Sequence, residues 1–220
     1  DSRIEQMAAR YIDMVRSVQN EGPYQLGSWS LGVIIAFEMA QQLYALGQEV
    51  ALLALLDQGP IIPTSQPQNQ AEYLISTFGQ HLKLSIAELE KLDDEAQIAY
   101  VFHEAKRVEW LLPDVTLEQF RHFVRIMETQ NKAWRAYVPK PYPGRITLFR
   151  AAERSEDKRD EPDLGWGKYA LGGVQIVEVP GDHLSMMHEP HVRTLASQLQ
   201  HYLDLLREGC VQEWQSDLRS

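Results

Sequence analysis

The sequence has 220 residues, of which 44% are hydrophobic and 24% charged, a composition typical of a globular chain that excludes a disordered or fibrous protein. Its 21 basic and 31 acidic residues give a formal net charge of −10, which disfavours sequence-independent binding to nucleic acid and docking on an anionic membrane. The longest apolar run, Val50–Leu56, is too short to span a bilayer, and the first residues do not resemble a signal peptide. The single cysteine, Cys210, excludes a disulfide framework. We therefore expect a soluble, cytoplasmic domain.

Helix and strand patterns alternate in the first part of the chain. Ser2 and Glu5 have the spacing of a capping box, followed by apolar residues at helical spacing. The elements predicted there are, in chain order, a helix at 4–18, a strand at Tyr24–Leu26, a sharp turn at 27–32, a buried helix at Val33–Leu46 and a buried parallel strand at Val50–Leu56.

The pattern changes between Gly59 and Pro143, where a polar, proline-containing linker leads into amphipathic helices. The clearest of these helices is Thr116–Tyr137, which places five apolar residues on one side: Phe120, Phe123, Val124, Met127 and Trp134. The elements predicted after it are a strand at Arg145–Ala151, a charged loop at Arg154–Asp163, a strand at Val174–Val179 and a helix at Val192–Leu206. This alternation predicts an α/β fold with an open, mostly parallel sheet and helices on both faces.

Ser30 lies in the predicted turn between a strand and a buried helix, and Leu31 and Gly32 follow it. A serine in this setting is typical of a nucleophile elbow, in which the helix N-terminus offers N–H groups to a developing oxyanion. The string S-x-G is weak by itself, since roughly one is expected by chance in a chain of this length. Ser28 also replaces the first glycine of the G-x-S-x-G pattern. The setting therefore identifies Ser30 as a candidate nucleophile more strongly than the string does.

Acidic residues follow two of the predicted strands. Asp57 comes directly after Val50–Leu56, and Glu153 follows Arg145–Ala151. Catalytic side chains gather at the C-terminal ends of the strands in an open parallel sheet, so either carboxylate is a candidate partner for a catalytic base. An aspartate after a strand is also common as a helix cap, and the pattern alone leaves these alternatives open.

His183 lies just after the last predicted strand, where it can reach back over the sheet edge. His188 and His191 follow nearby, but neither a cysteine nor a helical H-x-x-x-H pattern accompanies them, so surface histidines are the simpler interpretation and no metal site is predicted. The order Ser30, Asp57, His183 is that of the α/β-hydrolases and differs from both protease orders.

Four stretches of the chain carry a more specific likeness, namely Tyr24–Gly32, Leu53–Asp57, Tyr142–Ala151 and Val179–His183. They resemble type I thioesterase domains, which end non-ribosomal peptide synthetases and polyketide synthases, and the likeness extends from Ile4 to Leu206. The resemblance implies an α/β-hydrolase fold and favours Asp57 over Glu153 as the acid.

The resemblance also implies a division of the chain. We expect residues 1–58 and 144–208 to form the α/β-hydrolase core, 59–143 a helical lid over the acyl channel and 209–220 a C-terminal tail. Such domains open with further strands, the first of which carries a loop with a second oxyanion N–H. We expect these N-terminal strands to be absent, whether truncated, supplied by another polypeptide or lost from a degenerate domain. The exposed sheet edge beside Tyr24–Leu26 would then favour self-association.

On this resemblance, Ser30 attacks the thioester of an acyl or peptidyl chain on the phosphopantetheine arm of a carrier protein. His183 takes the serine proton, Asp57 orients the imidazole, and the Leu31 N–H stabilises the oxyanion. Water or an internal nucleophile then releases an acid or a ring. We expect no cofactor and no metal. Two alternatives stay open: a stand-alone editing thioesterase or small-ester hydrolase, and a truncated, non-catalytic module that binds carrier proteins.

A basic patch on the helix Thr116–Tyr137 is a candidate contact for the carrier protein. Arg121, Arg125 and Lys132 are spaced to lie on one face of this helix. Carrier proteins of these systems are generally acidic, so docking on an acidic chain requires a local basic surface. An ordinary solvated helix face is an equally good interpretation.

Overall fold

The structure is a computed structural model that describes residues 2–61, 67–79, 82–154 and 161–208. The chain divides into two compact units, one formed by Asp1–Ile62 with Ala136–Ser220 and the other by Pro63–Arg135. The predicted tail at 209–220 with Cys210, most of the charged loop predicted at 154–163 and part of the linker after Gly59 lie outside the described residues.

A four-stranded parallel sheet forms the centre of the first unit, with its strands in the order β1-β2-β3-β4. The strands are β1 at Tyr24–Trp29, β2 at Val50–Leu56, β3 at Ile146–Ala151 and β4 at Val174–Val179. The helices of this unit are α1 at Ile4–Val18, α2 at Gly32–Ala45 and, at the end of the described chain, α7 at His191–Arg207. Residues 2–23 contain α1 and no strand. The predicted parallel sheet is confirmed.

Helices cover both faces of this sheet because the central strand β2 is apolar on both sides. Ala54 and Leu56 pack in one apolar cluster with Leu195 of α7. Successive side chains of a strand point to opposite faces, so Leu53 and Leu55 point the other way. Helix α2 contacts β1 and β2, and most of its apolar residues are buried. The prediction of helices on both faces is thus confirmed.

The first helix and the first strand differ in detail from their predictions. Helix α1 has Arg3 at its N-cap position, with no side-chain cap hydrogen bond, so the capping box predicted for Ser2 and Glu5 is wrong. The Glu5 carboxylate instead pairs with the Arg3 guanidinium at 3.0 Å, which takes up the group that a capping box requires. Strand β1 runs on to Trp29 because its pairing with β2 continues to the end of both strands.

A buried carboxylate lies in the middle of α2. Glu38 accepts hydrogen bonds from the side-chain amide of Gln42 at 2.8 Å, from that of Gln41 at 3.2 Å and from the Tyr137 hydroxyl. Burial, and then the hydrogen bond and charge of Glu38, raise the pKa of Tyr137 far above its usual value, so this hydroxyl stays a donor. Three donors thus compensate the burial of one acidic group.

The second unit is helical. Its helices are α3 at Gln70–Phe78, α4 at Ile86–Leu89, α5 at Asp94–Arg107 and most of α6, which spans Leu117–Ala136. Asn69 and Asp93 cap α3 and α5 through side-chain oxygens that accept backbone N–H groups. Thr116 and Gln119 bond each other reciprocally at the start of α6, which is a capping box. Phe78, Phe102 and Phe120 belong to the apolar core of this unit.

Two features of α6 differ from the sequence interpretation. The spacing predicts Phe123 on the apolar side, but its side chain is 42% exposed because it lies at the border of a stripe whose buried part includes Phe120 and Val124. The basic face is also partly neutralised. Glu95 of α5 forms ion pairs with both Arg121, at 3.0 Å, and Arg125, at 2.8 Å, and Lys132 pairs with Glu128 at 2.7 Å.

Within the described ranges, every helix is too short or too polar to cross a lipid bilayer.

We predict that Tyr137→Phe lowers the free energy of unfolding by about 1–3 kcal/mol, because it removes one donor from the buried Glu38 carboxylate. Chemical denaturation of the wild type and the variant measures the difference. Tyr11→Phe is the matched control, since Tyr11 is 41% exposed on α1 and its change is expected to stay within about 0.5 kcal/mol. Equal stability losses in the two variants would contradict the prediction.

Candidate active site

Ser30 is the first residue of a two-residue turn, Ser30 and Leu31, between β1 and α2. Its φ of +55° lies in the left-handed region, which is uncommon for residues other than glycine and is strained. The Ser30 N–H donates to the Leu56 carbonyl at 3.5 Å, and the Ser30 carbonyl accepts from the Val33 N–H at 3.1 Å. A serine held in a strained strand-to-helix turn has the backbone form of a nucleophile elbow.

Ser28 and Gly32 lie next to each other in this turn. A Cβ atom at Gly32 would lie 2.2 Å from the Ser28 Oγ, far inside a van der Waals contact. The turn brings these two positions together, so a side chain at residue 32 would require the Ser28 hydroxyl to rotate away. The departure from the G-x-S-x-G pattern is therefore compatible with the elbow.

Asp57 follows β2 directly and is fixed by β3. Its φ of +49° is also left-handed, and its N–H donates to the Phe149 carbonyl at 2.8 Å. The Asp57 Oδ1 accepts from the Ala151 N–H at 2.9 Å, and the side chain is only 9% exposed. Glu153, the other carboxylate considered, lies exposed after β3, with its N–H bonded to the Gly181 carbonyl.

His183 connects the other two residues. Its Nδ1 lies 3.0 Å from the Asp57 Oδ2 and 3.0 Å from the Asp57 carbonyl oxygen, and its Nε2 lies 3.1 Å from the Ser30 Oγ. The tautomer that satisfies these contacts has its proton on Nδ1, so Nε2 accepts the serine hydroxyl proton. The structure thus brings Ser30, His183 and Asp57 into one row of hydrogen bonds. The His183 side chain is 33% exposed, which leaves part of the imidazole open to a reactant.

A tight turn that the sequence-based predictions do not include holds the backbone around His183. The Asp182 Oδ1 accepts from the Leu184 N–H at 3.0 Å and from the Ser185 N–H at 2.8 Å, and the Ser185 Oγ accepts from the Asp182 N–H. The Ser185 N–H is the main cause of a lowered pKa at Asp182. The stabilising effect of this carboxylate is therefore present at neutral pH and is lost as the pH falls through its lowered pKa. The spacing Asp-x-x-Ser was the available signal.

The remaining candidate positions take no part in this row. Leu31 is the N-cap residue of α2 with helical backbone angles, and its oxyanion role stays a prediction. His188 and His191 follow the turn around His183. Among the residues that the structure describes, no group of three or more His, Cys, Asp or Glu side chains has the arrangement of a metal site.

A family model described as "Thioesterase domain" matches residues 2–203. The chain belongs to the thioesterase domain family. This membership and the parallel α/β sheet confirm the family and the fold expected from the sequence.

Relatives of this thioesterase domain occur in large synthases. Chondramide synthase cmdD of Chondromyces crocatus is 30% identical over 209 residues, covering 89% of this chain and 5% of that protein. A dimodular nonribosomal peptide synthase of Bacillus subtilis strain 168 is 31% identical over 185 residues, covering 82% of this chain and 8% of that protein. The chain thus spans less than a tenth of the length of these two relatives.

Solved structures of similar thioesterase domains share the fold. A four-domain nonribosomal peptide synthetase, in its holo form with AMP and glycine, has a TM-score of 0.79 at 29% identity, covering 91% of this chain and 16% of that chain. The NocB thioesterase domain in a covalent complex with a fluorophosphonate nocardicin G analogue has a TM-score of 0.67 at 25% identity, covering 92% and 76%.

We predict that Asp57→Asn lowers kcat by roughly 10⁴-fold while the protein stays folded. The asparagine oxygen can still accept from the Ala151 N–H, but its amide then faces the His183 Nδ1 and favours the wrong tautomer. Glu153→Gln is the control, with a rate expected near that of the wild type. Steady-state hydrolysis of an acyl thioester measures both, and the reverse pattern would transfer the acid role to Glu153.

Proposed function

We propose that this thioesterase domain releases an acyl or peptidyl chain from the phosphopantetheine arm of a carrier protein through an acyl-serine intermediate. The observation that carries the proposal is the row of hydrogen bonds from the Ser30 Oγ through His183 to the Asp57 Oδ2. This row lies at the C-terminal edge of a parallel sheet, where ligands bind in open α/β folds. Family membership supports the reaction class.

Acylation begins when the Ser30 Oγ attacks the thioester carbonyl carbon and its proton passes to the His183 Nε2. The distance of 3.1 Å between these atoms is within the reach of general base catalysis. Asp57 holds the Nδ1–H and stabilises the imidazolium that forms. The tetrahedral oxyanion faces the N-terminus of α2, where the Leu31 N–H donates to it. The C–S bond then breaks, and His183 returns the proton to the departing pantetheine thiolate.

Deacylation repeats these proton transfers with a different nucleophile. Water attacks the acyl-serine ester to give an acid, or an amine or hydroxyl of the bound chain attacks it to give a ring. His183 removes the proton of this nucleophile and then protonates the Ser30 oxygen as the ester bond breaks. Every acid, base and nucleophile in both steps comes from the chain or its substrate, so the proposal requires no cofactor. The phosphopantetheine arm enters as part of the substrate.

The two alternatives differ in how they relate to this geometry. An editing thioesterase or a small-ester hydrolase would use the same three residues, so only substrates distinguish it from the proposed function. A non-catalytic carrier-binding module would require neither a serine with a left-handed backbone φ nor a histidine nitrogen 3.1 Å from the serine hydroxyl. The strained backbone at Ser30 therefore favours catalysis, because strain of this kind is retained where function requires it.

We predict that a fluorophosphonate probe labels the wild type at Ser30 and that Ser30→Ala abolishes labelling and lowers kcat by several orders of magnitude. Ser17→Ala is the control, since the Ser17 hydroxyl lies exposed on α1 and donates to the Met14 carbonyl. Intact-protein and peptide mass spectrometry locate the label. An unlabelled wild type, or label that persists in Ser30→Ala, would contradict the proposal.

We predict that Glu95→Gln lowers KM for a carrier-bound thioester by roughly twofold to fivefold at low salt, the size of a surface charge interaction. The change removes the carboxylate that pairs with Arg121 and Arg125 and so increases the positive charge offered to an acidic carrier protein.

Glu104→Gln is the matched control for this prediction, because Glu104 is also on α5 but pairs with Arg107. The KM for a small free thioester is expected to be equal in all three proteins. A KM for the carrier-bound substrate that does not change with Glu95→Gln at low salt would exclude this face of α6 as the docking surface.

A further inference from the structure

Trp29, the residue before Ser30, contacts His183 in two ways. Its indole Nε1–H donates to the backbone carbonyl of His183 at 3.0 Å. Its ring also stacks on the imidazole, with 5.2 Å between the ring centroids and an angle of 22° between the planes. This separation lies within the range of a favourable aromatic pair. One side chain therefore touches both the backbone and the ring of the histidine.

Trp29 is itself held firmly. It is the last residue of β1 and pairs in register with Leu56 of β2. Its partly buried side chain packs against the apolar cluster that contains Ala54, Leu56 and Phe149. Backbone pairing and side-chain packing together fix the plane of the indole, so it can serve as a rigid surface for a neighbouring group.

His183 requires such a surface because its hydrogen bonds do not define its plane. The contacts at Nδ1 and Nε2 fix the line that passes through these two ring nitrogens. A rotation of the ring about that line moves neither nitrogen, so the distances from Nδ1 to the Asp57 Oδ2 and from Nε2 to the Ser30 Oγ stay nearly the same. The second side-chain torsion of histidine has broad minima, so packing must define the tilt. The indole covers one face of the imidazole, while the bond to the His183 carbonyl holds the backbone from which the ring extends.

We propose that Trp29 is a positioning residue that fixes the imidazole of His183 relative to the Ser30 hydroxyl. The inference rests on the roles proposed above for Ser30 and His183. Because Trp29 and Ser30 are neighbours in the chain, the stacked ring and the nucleophile share one point of attachment at the end of β1. A shift of this strand end therefore carries the nucleophile and the support of its base together.

Two substitutions separate the two contacts. Trp29→Phe keeps an aromatic face for stacking and removes the N–H donor, whereas Trp29→Leu removes both. Leu195→Ala is the matched control for stability, because Leu195 belongs to the same apolar cluster but lies on α7. Each full 220-residue chain is tested for the rate of fluorophosphonate labelling at Ser30, for kcat and KM with a soluble acyl thioester, and for its melting temperature.

We expect Trp29→Phe to lower the labelling rate and kcat roughly threefold to tenfold, the effect of one hydrogen bond. We expect Trp29→Leu to lower them roughly 100-fold, as for a misplaced catalytic group. KM should change little in either variant, and Leu195→Ala should melt at a lower temperature but label at about the wild-type rate. The imidazole Cε1–H proton of His183 should resonate upfield under the indole ring current in the wild type and lose this shift in Trp29→Leu.

The inference is overturned if both Trp29 variants label at the wild-type rate, or if Leu195→Ala loses labelling as strongly as Trp29→Leu, since either result would leave no specific effect on His183. A wild type that does not label at Ser30 would instead overturn the proposed function, and this inference with it. Wild-type labelling combined with the graded loss from Phe to Leu supports it.

Discussion

The parallel register of β1 and β2 is the constraint on which the candidate site depends. The two strands end opposite each other at Trp29 and Leu56, and the next residue of each strand, Ser30 and Asp57, takes a left-handed φ. Both side chains are thereby turned out of the sheet at the same edge. Because side chains alternate along a strand, a slip of one residue would send the paired residues to the wrong face and separate the serine from the acid.

The histidine reaches this edge through the other half of the sheet. Strand β3 holds Asp57 with the Phe149 carbonyl and the Ala151 N–H. The residues just after β3 donate backbone hydrogen bonds to the carbonyls of Val179, at the end of β4, and Gly181, in the loop that follows. His183 follows in that loop. The spacing of the three candidate residues is therefore set by hydrogen bonds that link the ends of the strands and the loops that follow them.

Local patterns in the sequence were enough to find the sheet, the order of Ser30, Asp57 and His183, and most of the helices, because uninterrupted apolar runs and turn residues report directly on strands and their ends. The predictions that failed concerned individual side chains, whose contacts and burial the apolar spacing does not report. Glu5 pairs with Arg3 instead of capping α1, and Phe123 lies just outside the buried stripe of α6. The contact of Trp29 with His183 joins residues 154 positions apart, and no local pattern reports on such a pair. The ion pairs of Glu95 with the basic face of α6 are hidden from the sequence for the same reason.

The strain at the site has to be balanced by packing elsewhere. Left-handed backbone at a residue such as Ser30 or Asp57 costs on the order of 1–3 kcal/mol, and glycine, which would relieve it, would remove the side chain that the reaction requires. Helix α2 begins two residues after the strained serine and has Val33, Ile34 and Phe37 completely buried. Burial of each such side chain contributes about 1.5–3 kcal/mol. Relaxing the turn by displacing the start of this helix would expose these residues, so the core of the sheet keeps the nucleophile in its strained position.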